Sequence, residues 1–237
     1  MQALSARERP DLQDRVDSAE IWPEYNRHGD VLNRYWGRLV PELPDFQFVL
    51  VDGDEVLAEG HTAPVAWDGT AAGLPAGIDG AVESAFERPG RDALCALAAE
   101  ILPAHQGRGL AQTMLEQMKA IASREGLGAL VAPVRPSWKE RYPLTPIERY
   151  AAWTRDDGQP FDPWLRIHLR LGGEVLKAEA ESLLITGAVA DWEAWTGLAF
   201  PDSGEYVFPH GLAPLTVDRE ADLGSYWEPN VWVLHRV

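Results

Sequence analysis

The chain has 237 residues, and 37 aspartates and glutamates outweigh 21 lysines and arginines to leave a formal net charge of −16. Such a field repels nucleic acid and anionic lipid surfaces and favours cationic or neutral partners, beyond the solubility that any net charge brings. No apolar run reaches the roughly 18 residues that a membrane-crossing helix needs. The charged start MQALSARERPDLQDRVD lacks the apolar core of a secretory signal, and the single cysteine, Cys95, excludes an internal disulfide framework. These features together predict a cytoplasmic chain of one domain with insertions, or of two small ones.

Taken in order, residues 8 to 40 read as helical, broken at Pro23, with an apolar face through Val31, Leu32, Tyr35, Trp36 and Leu39. Phe46 to Val51 and Val56 to Trp67 flank Asp52-Gly53-Asp54 and predict a β-hairpin. A loop rich in glycine, alanine and proline follows, with a short helix near Val82 to Phe86. Leu94 to Leu102 (LCALAAEIL) is too apolar and too short for a surface helix, so it reads as a buried strand. After a glycine-bearing turn, Leu110, Met114, Leu115, Met118, Ile121 and Ala122 fall on one helical face, and Gly126 supplies the stop.

Ala129 to Val134 is the next strand, completing a βαβ unit. Asp162-Pro163 is a good helix start, and Trp164, Ile167, His168 and Leu171 share a face before Gly172-Gly173. Glu174 to Thr186 and Glu205 to Val217 read as strands bridged by a Trp192/Trp195 helix, and Trp227 to His235 as the last strand. No internal repeat appears.

The turn Pro103-Ala104-His105-Gln106-Gly107-Arg108-Gly109-Leu110-Ala111 carries the chemistry. A glycine turn opening a helix aims several backbone N–H groups at one point and holds a phosphate there without cationic side chains. A dinucleotide loop would need a third glycine where Gln112 stands, and an acid after the next strand; neither is present. No P-loop lysine follows the turn. The histidines (His28, His61, His105, His168, His210, His235) show no pair at metal-ligand spacing, so no metal is expected, and no Gly-x-Ser-x-Gly elbow exists.

What remains, Ile101-Leu102-Pro103 followed by Gln106-x-x-Gly109-x-Ala111, resembles the acyl-CoA signature of the GCN5-related N-acetyltransferases. The resemblance spans most of residues 22 to 237, but its sequence-specific part is 94 to 126. It implies an α/β fold with a mixed central sheet of about six to seven strands flanked by helices. It further implies a single domain over 1–237, with a helical N-terminal segment (1–45) and an insert at about 135–161. Acetyl-CoA or another acyl-CoA would be the co-substrate. The turn amides of Gln106, Gly107, Arg108, Gly109, Leu110 and Ala111 would bind the pyrophosphate. The strand end at Ile101 and Pro103 would bind pantetheine and polarise the thioester carbonyl. Arg108 and Lys119 would offset the acidic field near the anionic cofactor.

The chain departs from the family between Val134 and Asp162. Arg135 and Ser137 stand where relatives usually place an asparagine, and the insert interleaves Arg135, Lys139, Arg141, Arg149 and Arg155 with Tyr142, Tyr150 and Trp153. Arg135, Tyr142, Tyr150 and Trp153 are thus candidates for binding a carboxylate-bearing substrate. Reaching the CoA 3′-phosphate, or merely solvating a loop, are the alternatives.

Acyl transfer needs an amine that has lost its proton, a polarised carbonyl, and a stabilised thiolate. In many relatives a tyrosine four residues before the helix-ending glycine is the general acid; counting from Gly172 reaches His168, whose imidazolium is a competent donor. Glu100 is the only carboxylate in the strand and the candidate base, since burial raises a carboxylate's basicity. Relatives without such a base work through water. The implied function is N-acetyl transfer to a small amine by direct attack in a ternary complex. The alternatives are a non-catalytic acyl-CoA-binding sensor or regulatory protein, and an interaction protein whose ten tryptophans form a dimer face. No nucleic acid or membrane partner is expected, and a homodimer through terminal strands is among the arrangements the fold allows.

Overall fold

The strands pair into one mixed sheet, in a computed structural model that describes residues 1–237 apart from Asp14, Asp17, Ser18, Glu20 and Pro89. The strands are β1 (Gln2–Ser5), β2 (Gln47–Asp52), β3 (Glu55–Val65), β4 (Ala93–Ile101), β5 (Ala129–Val134), β6 (Glu174–Gly187), β7 (Gly204–Tyr206), β8 (Leu215–Asp218) and β9 (Leu223–Arg236). Their order is β1-β2-β3-β4-β5-β9-β8-β7, with β6 along the other edge of β9. Only β4 and β5 run parallel; the other pairs are antiparallel. A parallel pair needs a crossover, and α4 (Leu110–Arg124) provides it.

Helix α4 buries the six residues that the 3.6-residue period singles out: Leu110, Met114, Leu115, Met118, Ile121 and Ala122. They meet Leu94, Leu97, Leu130 and Val131 of the sheet in the main core. Each large side chain contributes on the order of 1.5–3 kcal/mol by leaving water, an upper bound because the unfolded chain already hides part of this surface. Gly126, at φ 72°, ends the helix in a conformation few other residues accept.

Helix α6 (Pro163–Arg170) starts at Asp162, whose Oδ1 accepts from the amides of Trp164 at 2.9 Å and Leu165 at 3.2 Å. Its Oδ2 accepts from the Trp138 amide at 2.8 Å and the Tyr150 hydroxyl at 2.9 Å. One carboxylate therefore caps the helix and pins the insert to it. The remaining helices are α1 (Leu32–Trp36), α2 (Leu39–Glu42), α3 (Gly77–Glu87), α5 (Ile147–Ala151, inside the insert) and α7 (Val189–Thr196). No helix among the described residues is long and apolar enough to cross a membrane.

The α/β class and the flanked mixed sheet hold, but the sheet has nine strands rather than six or seven. The difference comes from both ends of the chain. Residues 8 to 40 do not form one broken helix: short turns at Pro10–Leu12 and Glu24–Arg27 precede α1 and α2, and the chain begins instead with β1 on the edge of β2. Pro23 breaks the period, and Gly37 stands at the C-cap of α1 and divides it from α2. The expected strand Glu205 to Val217 is split into β7 and β8 by Pro209, Pro214 and His210, which adopts φ 64°.

Candidate active site

β4 and β5 pair only at Leu94↔Leu130 and Cys95↔Val131, then separate. β4 is also irregular there: Ala96 faces Thr62 while Ala98 faces His61, so Leu97 is the extra residue of a bulge. Past Val131, β5 carries Pro133, which has no N–H to donate, and its neighbour strand has already diverged. A cavity of about 770 Å³ opens at this fork. Its walls are Ala96 to Ile101 of β4, Ala132 to Val134 of β5, Ala111, Leu115 and Met118 of α4, and Trp164 and His168 of α6. Alanines at 96, 98 and 99 leave the space that larger side chains would fill.

The glycine turn stands at the mouth of this fork. Gly107 and Gly109 hold φ of 75° and 79°, and a side chain at either would meet nothing within 4 Å. The glycines are thus required by the left-handed backbone, while the space above them is open. Among the described residues no side chain caps α4, so its first-turn amides at Leu110 and Ala111 are open to an anion. Gln106 closes the turn onto the strand, its Nε2 donating to the Ile101 carbonyl at 3.1 Å. Arg108 is held beside the turn by His105 (Nη1 to Nδ1, 3.0 Å), whose Nε2 lies 3.2 Å from Glu55. A pyrophosphate at the α4 N-terminus and a thioester arm along the unpaired edge of β4 fit these residues.

Both candidate catalytic side chains border the cavity. Glu100 is 4% exposed and accepts from Trp22 Nε1 at 2.5 Å. Across the sheet it faces Glu59 of β3, with His61 two residues further on the same face. One donor atom from each of Glu59, His61 and Glu100 lies within 4.8 Å of the others, and all three residues are buried. Burial pushes the His61 pKa down to about 4. Spacing between histidines alone does not reveal this cluster; its signal in the sequence is Glu59-x-His61, two titratable residues at strand period on one face.

His168 is 1% exposed on α6, and its Nδ1 lies 2.9 Å from His235 Nε2. Burial first, and His235 second, push its pKa down to about 3, so at neutral pH the ring is uncharged. Its Nε2 has no hydrogen-bond partner among the described residues.

The insert residues separate into two places. Arg135 borders the cavity, its Nε 2.7 Å from Glu228 and its Nη2 donating to the Tyr25 hydroxyl at 3.1 Å and the His210 carbonyl at 2.9 Å. Glu228 also accepts from Asn26, Tyr25 and Tyr226; against burial, its charge raises the pKa of the Arg135 guanidinium, while burial first and Glu228 second push that of the Tyr25 hydroxyl upward. Tyr142, Tyr150 and Trp153 instead pack with Phe161 in an aromatic cluster, at ring separations of 5.0 to 6.2 Å. Lys139 is buried and donates to the carbonyls of Tyr142 and Leu212, which fastens the insert to the chain before β8. Packing accounts for these residues; Arg135 is the insert candidate that meets the cavity.

No family model matches the chain. It is 30% identical to arginine N-acetyltransferase avaD of Aspergillus versicolor over 274 residues, covering 98% of this chain and 93% of that protein. The loading GNATL domain of CurA from Lyngbya majuscula shares the fold, with a TM-score of 0.60, 19% identity, and coverage of 99% of this chain and 96% of that one. So does a GphF GNAT-like decarboxylase in complex with isobutyryl-CoA, at a TM-score of 0.62, 20% identity, and coverage of 100% and 99%. With the forked strands, the open glycine turn and a whole-length relative in agreement, the chain belongs to the GCN5-related N-acetyltransferase superfamily, as an acyl-CoA-dependent N-acyltransferase.

Proposed function

We propose that this enzyme transfers acetyl from acetyl-CoA to the α-amine of a small cationic amino acid, with arginine the first choice, by direct attack in a ternary complex. The observation that carries the reading is Glu100, a buried carboxylate on the wall of the fork where a thioester would lie. The 30%-identical relative, an arginine N-acetyltransferase, supports arginine. So does the acidic balance of the chain, of net charge −16: Glu100 and Glu140 border the cavity, and the charge of Arg135 there is met by Glu228.

Glu100 takes one proton from the acceptor ammonium, and the freed amine attacks the thioester carbonyl, which the β4 backbone near Ile101 polarises. A guanidinium, with a pKa above about 12, is out of reach for a carboxylate base, so the α-amine is the nucleophile. The C–S bond breaks with its electron pair on sulfur, and His168 donates a hydrogen bond from Nε2–H to the thiolate as a neutral imidazole. Arg135 Nη1 makes no hydrogen bond among the described residues and receives the acceptor carboxylate.

The test is thiol release from acetyl-CoA with L-arginine, lysine, ornithine and an uncharged amine panel, with the product identified by mass spectrometry. Nα-acetylarginine formed in preference to the neutral amines supports the reading. Acetyl-CoA binding without turnover on any amine contradicts it and favours a sensor role.

A further inference from the structure

Of the three glutamates that border the cavity, two are already engaged. Glu100 takes the part of base in the proposed reaction, and Glu228 meets the charge of Arg135 at 2.7 Å. Glu140 differs. Its Oε2 lies 2.9 Å from Nδ1 of His210, an exposed ring, and no lysine or arginine among the described residues comes within ion-pair range of it. The Glu140 side chain is itself 34% exposed. The ring nitrogen stands where an N–H of a ligand would stand, and removing it costs little because water reaches both groups.

The backbone around Glu140 is fixed from both sides. Lys139 is buried and donates to the carbonyls of Tyr142 and Leu212, while the Arg141 guanidinium lies 4.6 Å over the Trp138 ring. His210 holds a left-handed backbone, φ 64°, that residues with a Cβ rarely adopt. Its carbonyl accepts from Arg135 Nη2 at 2.9 Å and from the Tyr25 hydroxyl at 2.8 Å, which keeps it there. One residue thus touches Arg135 through its carbonyl and Glu140 through its ring. The guanidinium and the carboxylate are therefore separated by no more than one histidine and two hydrogen bonds. The charged ends of a free arginine, a Cα and three methylenes apart, span a gap of that order.

We propose that Glu140 is the specificity-determining carboxylate: it receives the guanidinium of the acceptor, and the His210 ring is the group that arginine displaces from it. The inference rests on arginine being the acceptor, and it assigns the end of the substrate that the reaction leaves unchanged. With the α-carboxylate on Arg135 Nη1, the α-amine lies on the β4 side of the fork. Continuing the register of Leu94↔Leu130 and Cys95↔Val131 sets Arg135 level with Ala99, one residue from Glu100. Arg27 also borders the cavity, but Glu24 holds it at 3.0 Å, so it does not compete for Glu140. A guanidinium offers paired N–H groups that a carboxylate accepts together, whereas the ureido group of citrulline keeps the shape and lacks the charge.

Calorimetry of L-arginine and L-citrulline binding to the intact protein saturated with CoA tests this without turnover. The expected result is an arginine Kd weaker by about tenfold or more in Glu140→Gln, with citrulline changed by less than about twofold. Citrulline should bind the wild type about as weakly as arginine binds Glu140→Gln. His210→Gly accepts the left-handed backbone and keeps the carbonyl that Arg135 uses, but removes the ring. It should tighten arginine by about threefold and leave citrulline alone. Equal weakening of both ligands in Glu140→Gln, as a loosened fold would give, overturns the proposal. So does an arginine Kd unmoved in either variant, or a wild type that binds neither ligand. The two readings fail separately. Arginine bound through Glu140 but never acetylated contradicts the reaction and supports this assignment; arginine acetylated equally well by Glu140→Gln overturns this assignment alone.

Discussion

His168 Nδ1 and His235 Nε2 lie 2.9 Å apart, a hydrogen bond that ties α6 to β9 beneath the cavity floor. It fixes the His168 ring and leaves Nε2 as the one nitrogen directed elsewhere. His168→Ala removes that donor, and kcat should fall about 10- to 100-fold, the range for a hydrogen bond to a charged group, with KM for acetyl-CoA nearly unchanged. His168→Gln, which restores an N–H, should recover part of the loss. Steady-state kinetics of the two variants checks both statements.

The same burial makes stability depend on pH. His168 and His61 have folded pKa values near 3 and 4, below the ordinary histidine value, and burial lowers His235 as well. Between those values and about 6.5 the unfolded chain binds more protons than the folded one, so stability rises with pH across this window and is lost on acidification. The melting temperature should fall steadily from pH 7 to pH 4. His61→Gln should flatten part of that fall, and an unchanged slope would count against a neutral buried His61.

Gly109 opens α4 at φ 79°. Alanine there adds roughly 1–2 kcal/mol of strain to the turn. The expected outcome is a KM for acetyl-CoA raised about tenfold with kcat little changed, as for an interaction made equally in ground and transition states. A loss confined to kcat would place the turn away from the cofactor.

Asp162 serves four donors from three segments. Asp162→Ala loses the helix cap and strands the Tyr150 hydroxyl, and should cost about 2–4 kcal/mol. Urea unfolding measures it, and a cost below about 1 kcal/mol, the size of a cap alone, would show that the insert does not depend on this carboxylate.

The partly buried Arg135 pairs with the buried Glu228, so removing the guanidinium leaves the carboxylate uncompensated. Arg135→Met should destabilise by about 3–5 kcal/mol, and the double variant Arg135→Met/Glu228→Gln by less than the single one. Additive losses would indicate that the two groups do not interact.

The glycine turn and the helix behind it are legible in the sequence because they are local. The face of α4 follows from helical period, and Gly107, Gly109 and Gln106 lie within one turn of chain. The carboxylate cluster on the cavity wall is not. Glu59 and Glu100 become partners only through the register of β3 and β4, which no spacing in the sequence reveals. Interleaved basic and aromatic residues in the insert look alike whether they bind or pack; only the cavity separates Arg135 from Tyr142, Tyr150 and Trp153. In the N-terminal segment the apolar period holds over α1 and α2, whereas β1 forms by pairing with β2 far along the chain, which no local pattern shows.

In the proposed mechanism Glu100 is the base at the fork, and one comparison tests this most directly: kcat/KM for L-arginine in wild type and Glu100→Gln, with the Kd for acetyl-CoA of each measured by calorimetry. The expected result is an unchanged Kd and a kcat/KM lower by about 100-fold or more. A Glu100→Gln enzyme that acetylates arginine at the wild-type rate would contradict the account.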